Sequence, residues 1–211
     1  MSTTGVRWWA PDRAVWWVAV LFMVGSACFA LGAVPAYLDL VGVKADGVTF
    51  FVGSLFFTSA AALQLWLSTD RAQRWAGGVQ FVGTLLFNVS TFAALNASLS
   101  ADQADHRVWT PDVLGSIAFL VASALAYAEV RRPWLRWRPL DLGWSIATLN
   151  MVGSIAFGVS AAAAYVLSND TLRDAQRANA GTFVGAICFL VGAALLIPDA
   201  ASTAPADEPA T

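Results

Sequence analysis

The chain has few side chains suited to acid–base or metal chemistry, and most of them lie between apolar stretches. Its one histidine, His106, stands beside Asp102, Asp105 and Arg107. An imidazole titrates near neutral pH, so this cluster has the residue types of a pH-sensitive patch. A catalytic base or a metal site needs further converging groups, which this cluster does not supply. The pattern therefore favours a solvated loop over a reactive centre.

Two carboxylates stand at the edges of apolar stretches. Asp112 follows Thr110 and Pro111, an order typical of a helix start, where a hydroxyl caps the helix and proline takes the first helical position. A carboxylate at that point also complements the helix dipole, so we interpret Asp112 as a capping residue. We interpret Glu129 as a solvated residue at the membrane interface. The interiors of the stretches then hold no ionisable residue that marks an ion pathway.

Amides are the main polar side chains inside the apolar stretches. Asn88 and Asn150 lie deepest, and Gln64, Gln80 and Asn96 lie nearer the ends. Amides in a bilayer hydrogen-bond across helices at a modest energy of about 0.6 kcal/mol. Structural bonding is therefore the simplest interpretation of Asn88 and Asn150. The alternative is that these two residues form a polar seam along which a small solute crosses the membrane.

Both cysteines, Cys28 and Cys188, lie inside apolar stretches. Disulfide frameworks belong to small secreted chains, and a metal site needs more ligands than these residues supply. We therefore predict two free thiols that act as small packing residues. Taken with the preceding patterns, the sequence predicts no catalytic residue, no cofactor and no metal site.

The composition is that of a protein that faces lipid. Of the 211 residues, 58% are hydrophobic and 12% are charged, whereas a soluble domain carries about 25% charged residues. The formal net charge of −2 gives no basic footprint for a nucleic acid. The 10 tryptophans suit the headgroup region of a bilayer. We therefore predict an all-α integral membrane protein whose main partner is the lipid bilayer.

Six apolar stretches are long enough to cross a bilayer, which needs roughly 20 residues per helix. We group them into three helical hairpins at about 14–69, 76–130 and 141–198, and the sequence leaves open a division into two units of three helices. We predict a transmembrane domain at 14–198, a cytoplasmic segment at 1–13 and a disordered cytoplasmic tail at 199–211, which is rich in alanine, proline and acid. The six stretches are about 14–38, 48–69, 76–99, 110–130, 141–167 and 180–198.

One motif recurs in all six stretches. A glycine is followed by a small residue, by two variable residues and by a phenylalanine, and another small residue comes seven positions after the glycine. These positions share one helical face, and small residues let helices approach closely in a bilayer. We therefore interpret the motif as a packing device in which a phenylalanine fills the notch at a neighbouring glycine. The pairs are Gly25 and Phe29, Gly53 and Phe57, Gly83 and Phe87, Gly115 and Phe119, Gly153 and Phe157, and Gly185 and Phe189.

The motif also carries a family resemblance. The segments Gly53–Phe57 and Asn150–Phe157 resemble the YrhK-like membrane proteins, a family built on a short two-helix unit with a Gly-Ser signature. The resemblance is best in the first two and the last two stretches. In the third stretch Thr84 replaces the serine and Asn88 follows the phenylalanine. The resemblance implies repeated helical hairpins and no particular activity.

These patterns favour a non-enzymatic protein of the bacterial plasma membrane. The first interpretation is a membrane scaffold or partner-binding subunit, which would contact another membrane protein or a second copy of itself. The alternative is a transporter or channel for a small or uncharged solute, with Pro35 as a kink in the first stretch. A membrane enzyme is a third reading. A continuous polar cavity would favour transport.

The basic residues are distributed unevenly between the two sides of the predicted bundle. Eight of the 12 Lys and Arg residues fall on the side that holds the first segment, which the positive-inside rule assigns to the cytoplasm. The most basic segment, Arg131–Pro139, alternates arginine with tryptophan. It suits either contact with an anionic leaflet or a plain stop-transfer anchor.

We predict that both terminal segments face the cytoplasm. In a variant lacking Cys28 and Cys188, a single Glu208→Cys substitution should escape an impermeant maleimide in intact cells. An Asp102→Cys substitution, on the predicted outer side, should react and serves as the control. Labelling at position 208 in intact cells would contradict the predicted orientation.

Overall fold

The computed structural model of the protein describes residues 8–96, 98–130, 141–167, 169 and 171–203, with side chains to residue 198. The described part is 84% helical and contains no strand. Six of its helices are long and apolar enough to cross a membrane. The predicted class, an all-α protein with six membrane-spanning helices, is therefore confirmed.

The described residues form seven helices, numbered here in chain order, and all but the short α2 are spanning helices. Since the spanning helices alternate in direction, α1 begins and α7 ends on one side, which we call the near end. The far end carries the loops around residues 33–42, 94–100 and 164–174. The helices are α1 (Ala14–Gly32), α2 (Pro35–Val41), α3 (Val43–Leu67), α4 (Arg71–Ala93), α5 (Ala101–Val130), α6 (Leu142–Ala163) and α7 (Ala175–Thr203).

The first spanning helix is shorter than its sequence predicts, because it stops before Pro35. A proline disfavours helical geometry in the residue before it, and Val34 accordingly adopts an extended backbone with φ −90° and ψ 115°. Pro35 is the first residue of the separate helix α2 and not a kink within α1. Gly42 then turns the chain into α3 with a φ of +80°, which glycine adopts without strain.

The fourth spanning helix is longer than its sequence predicts. Helix α5 begins at Ala101, where Ser100 and Gln103 form a capping box, and it continues through Pro111. A π-helical turn at Asp105–Trp109 accommodates the proline, and the Thr110 hydroxyl donates to the Asp105 carbonyl at 2.8 Å. The predicted cap at Thr110 is therefore wrong. Asp112 lies inside a spanning helix and not at its start.

The other helix ends differ by a few residues. Helix α3 starts at Val43, so Asp46 lies in its first turn. Asp70 caps α4 by accepting from the Gln73 backbone N–H at 2.8 Å. Helix α7 continues past Pro198 to Thr203, although the sequence predicts a tail from residue 199. The basic segment at 131–139 and residues 204–211 lie outside the described residues.

The six spanning helices form a closed ring in the order α1, α3, α4, α5, α6, α7, with α7 returning to α1. Helices of the same hairpin have the most extensive contacts, which join α1 to α3, α4 to α5 and α6 to α7. The ring therefore consists of three hairpins arranged around a central axis.

Glycine and phenylalanine interlock within each hairpin. A first side-chain carbon added at Gly153 would lie 2.9 Å from the Phe189 ring, and one added at Gly185 would lie 2.8 Å from the Phe157 ring. The same reciprocal contact occurs within each of the other two hairpins. The distances from the added carbon to the ring are 3.0 Å for Gly25 to Phe57, 3.0 Å for Gly53 to Phe29, 2.8 Å for Gly83 to Phe119 and 2.9 Å for Gly115 to Phe87.

We predict that Gly153→Leu lowers stability strongly, because the added side chain must displace Phe189 and part the hairpin. Overpacking of this kind costs about 1–3 kcal/mol. Gly158→Leu, on the same helix, is the matched control, since a side chain added there meets nothing within 4 Å. Thermal unfolding in detergent measures both variants. Equal melting temperatures for the two would show that close packing at Gly153 does not stabilise the fold.

Candidate functional site

The motif phenylalanines meet on the axis of the bundle in two triangles. Because neighbouring helices run in opposite directions, a phenylalanine four residues after its glycine lies toward the far end in α1, α4 and α6. It lies toward the near end in α3, α5 and α7. Ring centroids are 6.1–6.3 Å apart in the far triangle and 5.5–6.3 Å apart in the near triangle. We call the six rings, Phe29, Phe87, Phe157, Phe57, Phe119 and Phe189, the phenylalanine layer.

A cavity of about 280 Å³ lies on the far side of this layer. We call it the carboxylate cavity, because Asp112 is the acidic residue that lines it. Aromatic rings of the far triangle, of Phe50 and of Trp109 form part of its wall. Hydroxyl and amide groups of Ser160, Thr182 and Asn179 also line it. The cavity is therefore aromatic on one part of its surface and hydrogen-bonding on another.

The Asp112 carboxylate has no protein partner among the described residues. It is half-buried, and none of the described residues that line the cavity is a lysine, an arginine or a histidine. Two neighbouring hydroxyls are already engaged: the Ser160 hydroxyl donates to the Ala178 carbonyl at 2.7 Å and also meets the Thr182 hydroxyl at 2.7 Å. Since a carboxylate in a membrane interior is costly without a partner, Asp112 is the residue in this site whose presence packing does not explain.

Contacts from other helices hold the π-helical turn that precedes Asp112. The Trp109 indole N–H donates to the Ala161 carbonyl at 2.8 Å, and its ring meets Tyr165 edge to face at 4.9 Å. The Ser90 hydroxyl donates to the Val108 carbonyl at 2.8 Å. Helices α4 and α6 thus position the segment of α5 that carries the carboxylate.

A smaller cavity of about 40 Å³ lies on the near side of the layer. We call it the amide cavity, because Gln64, Gln80 and Asn150 line it together with Phe22 and Phe189. Its volume gives room for a few water molecules, and the amides supply polar partners for them. Polar groups therefore approach the phenylalanine layer from both ends of the bundle.

One position of the motif supplies residues to both cavities. The search for repeated residues in the sequence did not identify this position, because its residues differ from helix to helix. The residue three positions before each glycine lines the carboxylate cavity in α3, α5 and α7 and the amide cavity in α1, α4 and α6. The signal in the sequence is that this position varies in chemistry while its neighbours repeat. The residues are Phe50, Asp112 and Thr182 for the first cavity and Phe22, Gln80 and Asn150 for the second.

The two deepest asparagines do not share a seam. Asn88 donates to the Thr58 hydroxyl at 2.9 Å between α4 and α3, and its buried carbonyl oxygen has no partner among the described residues. Asn150 lies in the amide cavity. Helices α4 and α6 run in the same direction, and Asn88 lies eight residues further along the motif, about 12 Å along the axis.

The histidine cluster lies outside both cavities. His106 Nε2 is 3.5 Å from the Asp102 carboxylate, and the two side chains are 75% and 86% exposed. They stand on the first turns of α5 and not in a loop. Asn96 accepts hydrogen bonds from Ser98 in an exposed turn. Among the described residues, no three His, Cys, Asp or Glu side chains converge as a metal site would require.

Both cysteines are free thiols, as the sequence predicts. A side-chain carbon added at Gly53 would lie 2.7 Å from Cys28 Cβ, and one added at Gly153 would lie 3.1 Å from Cys188 Cβ. The cysteines therefore take part in the hairpin packing.

We predict that the carboxylate cavity favours cations. In a variant without Cys28 and Cys188, Thr182→Cys should react faster with a cationic methanethiosulfonate than with an anionic one, and adding Asp112→Asn should remove the difference. Ala186→Cys, at a fully buried position, should react with neither reagent. If Asp112→Asn leaves the preference for the cationic reagent unchanged, Asp112 is not the residue that attracts cations to the cavity.

Comparisons of the chain with protein-family profiles, with curated proteins and with solved structures find no match.

Proposed function

We propose that this protein is a transporter or channel for a small solute and that the phenylalanine layer closes its path. The two polar cavities are separate and do not form the continuous cavity that would favour transport most directly; the observation that carries this proposal is their position. They lie inside one closed ring of spanning helices, on opposite sides of the layer. A path along the axis would pass through both cavities and through the layer between them.

The chemistry of the cavities supports transport. Polar groups cost free energy in a bilayer, and an ionisable residue inside a spanning bundle usually marks a path for an ion or a substrate. A purely structural bundle gains nothing from a cavity lined by a carboxylate without a partner, whereas it gains packing energy from apolar side chains in the same place.

The layer has the properties of a closed hydrophobic gate. Apolar constrictions block water and ions by excluding water, and the rings of the two triangles approach one another to 5.1–5.5 Å within each hairpin. The bundle is built from three similar hairpins, and repeated units occur in many transporters.

The three boundaries between hairpins differ in the hydroxyl hydrogen bonds that cross them. The Ser54 and Thr91 hydroxyls bond at 3.0 Å between α3 and α4, and the Ser123 and Ser154 hydroxyls bond at 2.8 Å between α5 and α6. No such bond joins α7 to α1 among the described residues, where the buried Ser26 hydroxyl has no partner. We propose that α7 and α1 separate when the path opens.

The remaining expectations stay proposals. The lipid-facing surface, exemplified by Val152 and Ile155 at 46% and 51% exposure, suits a bilayer and equally suits a membrane partner or a second copy of the chain. The scaffold interpretation therefore remains the competing function. We further propose a non-enzymatic role, a bacterial plasma membrane location and membership of the YrhK-like family.

Removing one ring from the phenylalanine layer tests the proposal. Phe119, at 1% exposure, belongs to the near triangle, so Phe119→Ala should raise the flux of small solutes across proteoliposomes several-fold. Phe92→Ala is the matched control, since Phe92 is 64% exposed on α4 and its loss leaves the layer intact.

The flux assay also separates transport from the scaffold role. Solutes of graded size and charge are followed by fluorescence quenching or liposome swelling in parent protein, Phe119→Ala and Phe92→Ala. An unchanged rate in Phe119→Ala, with the protein shown to be folded, would favour the scaffold. A size limit that disappears only in Phe119→Ala would support the gate.

A further inference from the structure

We propose that the carboxylate cavity binds a small organic ammonium cation. This inference rests on the proposed function and deepens it, since it names the class of solute that enters the path from the far end. Three properties of the site support this assignment: its charge, the nature of its walls and its volume.

The charge of the site calls for a cation. Asp112 has no hydrogen bond or ion pair among the described residues, and a carboxylate withdrawn from water is stabilised by an opposite charge. None of the described residues that line the cavity carries a positive charge. Asp105 accepts from the Val166 N–H at 3.2 Å at the rim of the cavity, and Arg177 pairs with Asp174 at 3.2 Å. His106 and Arg107 line a separate groove beside Pro111. A bound cation would therefore provide the missing charge.

The walls of the cavity favour an organic cation over a metal ion. Five aromatic residues line it: Phe29, Phe50, Phe87, Phe157 and Trp109. Aromatic rings attract ammonium groups, and the attraction grows when water is excluded. Calcium and magnesium prefer six or more oxygen ligands, whereas this cavity combines one carboxylate with aromatic rings. A cation that also carries apolar surface matches both parts of the lining.

The volume is consistent with a small molecule. At about 280 Å³, the cavity is close to the lower end of small-molecule pockets, roughly 300 Å³. It is larger than a single dehydrated metal ion requires. A methylated ammonium head group could contact the rings while remaining beside Asp112, with room for a short substituent toward Thr182 and Asn179.

Calorimetric titration of the purified full chain in detergent tests this inference. The probes are tetramethylammonium, choline and ethylammonium, with 3,3-dimethylbutan-1-ol as the uncharged analogue of choline. We expect at least one ammonium probe to bind at millimolar concentration or below and the alcohol not to bind. Asp112→Asn should weaken the binding by roughly tenfold or more, whereas Asp102→Asn, which changes an exposed carboxylate on the same helix, should leave it unchanged.

A second variant separates charge from the aromatic contribution. Phe50→Leu removes one ring of the wall and keeps Asp112, so it should weaken binding of the ammonium probe several-fold. Melting temperatures show that each variant is folded. Equal binding of the alcohol, equal binding of potassium ions, no effect of Asp112→Asn in folded protein, or no binding of any ammonium probe would each overturn the inference.

The same proteins in liposomes distinguish failure of the inference from failure of the proposed function. Ammonium binding that depends on Asp112, without solute flux in the parent or in Phe119→Ala, would support the binding site and contradict transport. Flux of neutral solutes in Phe119→Ala, without ammonium binding, would support transport and contradict the named solute class.

Discussion

Close contact between a glycine on one helix and a phenylalanine on its partner is the constraint on which this bundle depends. Lipid chains are as apolar as the helix surfaces, so burial of hydrophobic area does not by itself bring helices together in a bilayer, and close packing must do so. In each hairpin the contact is reciprocal, as in Gly153 with Phe189 and Gly185 with Phe157. The glycines bring two antiparallel helices together at one level, and each phenylalanine is thereby turned toward the axis.

The position of the rings then determines where space is left. Six large side chains fill the axis at the level of the glycines, so the regions above and below them contain only the residues three positions before each glycine and their neighbours. Short or polar side chains at those positions, such as Thr182 and Asn150, leave cavities instead of filling them. The same packing motif therefore produces a closed centre and two polar recesses.

The hairpins are similar in packing and different in polarity. Hydroxyl pairs join α3 to α4 and α5 to α6, but α7 has Ala193 at the motif position that Thr91 and Ser123 occupy in those pairs. The buried Ser26 hydroxyl of α1 is left without a partner among the described residues. A buried hydroxyl without a hydrogen bond costs about 1–3 kcal/mol, so the boundary between α7 and α1 is the weakest of the three in polar terms. Because the rings of all three hairpins meet in the layer, a small separation at this one boundary would loosen the whole closure.

The sequence by itself determined the six spanning helices and the helical face that carries Gly153 and Phe157, because hydrophobic length and side-chain spacing are local properties. It did not determine that α5 begins at Ala101, since a proline preceded by Thr110 has the form of a helix start. Only the tertiary structure decided otherwise: the Ser90 hydroxyl bonds the Val108 carbonyl and the Ala161 carbonyl accepts from the Trp109 indole, and these contacts from other helices hold the π-helical turn before Pro111. Because of that turn, Asp112 lies in the cavity and not at the helix start that the sequence predicts. The pattern of one helix cannot predict this position, since the cavity is formed by residues from six helices.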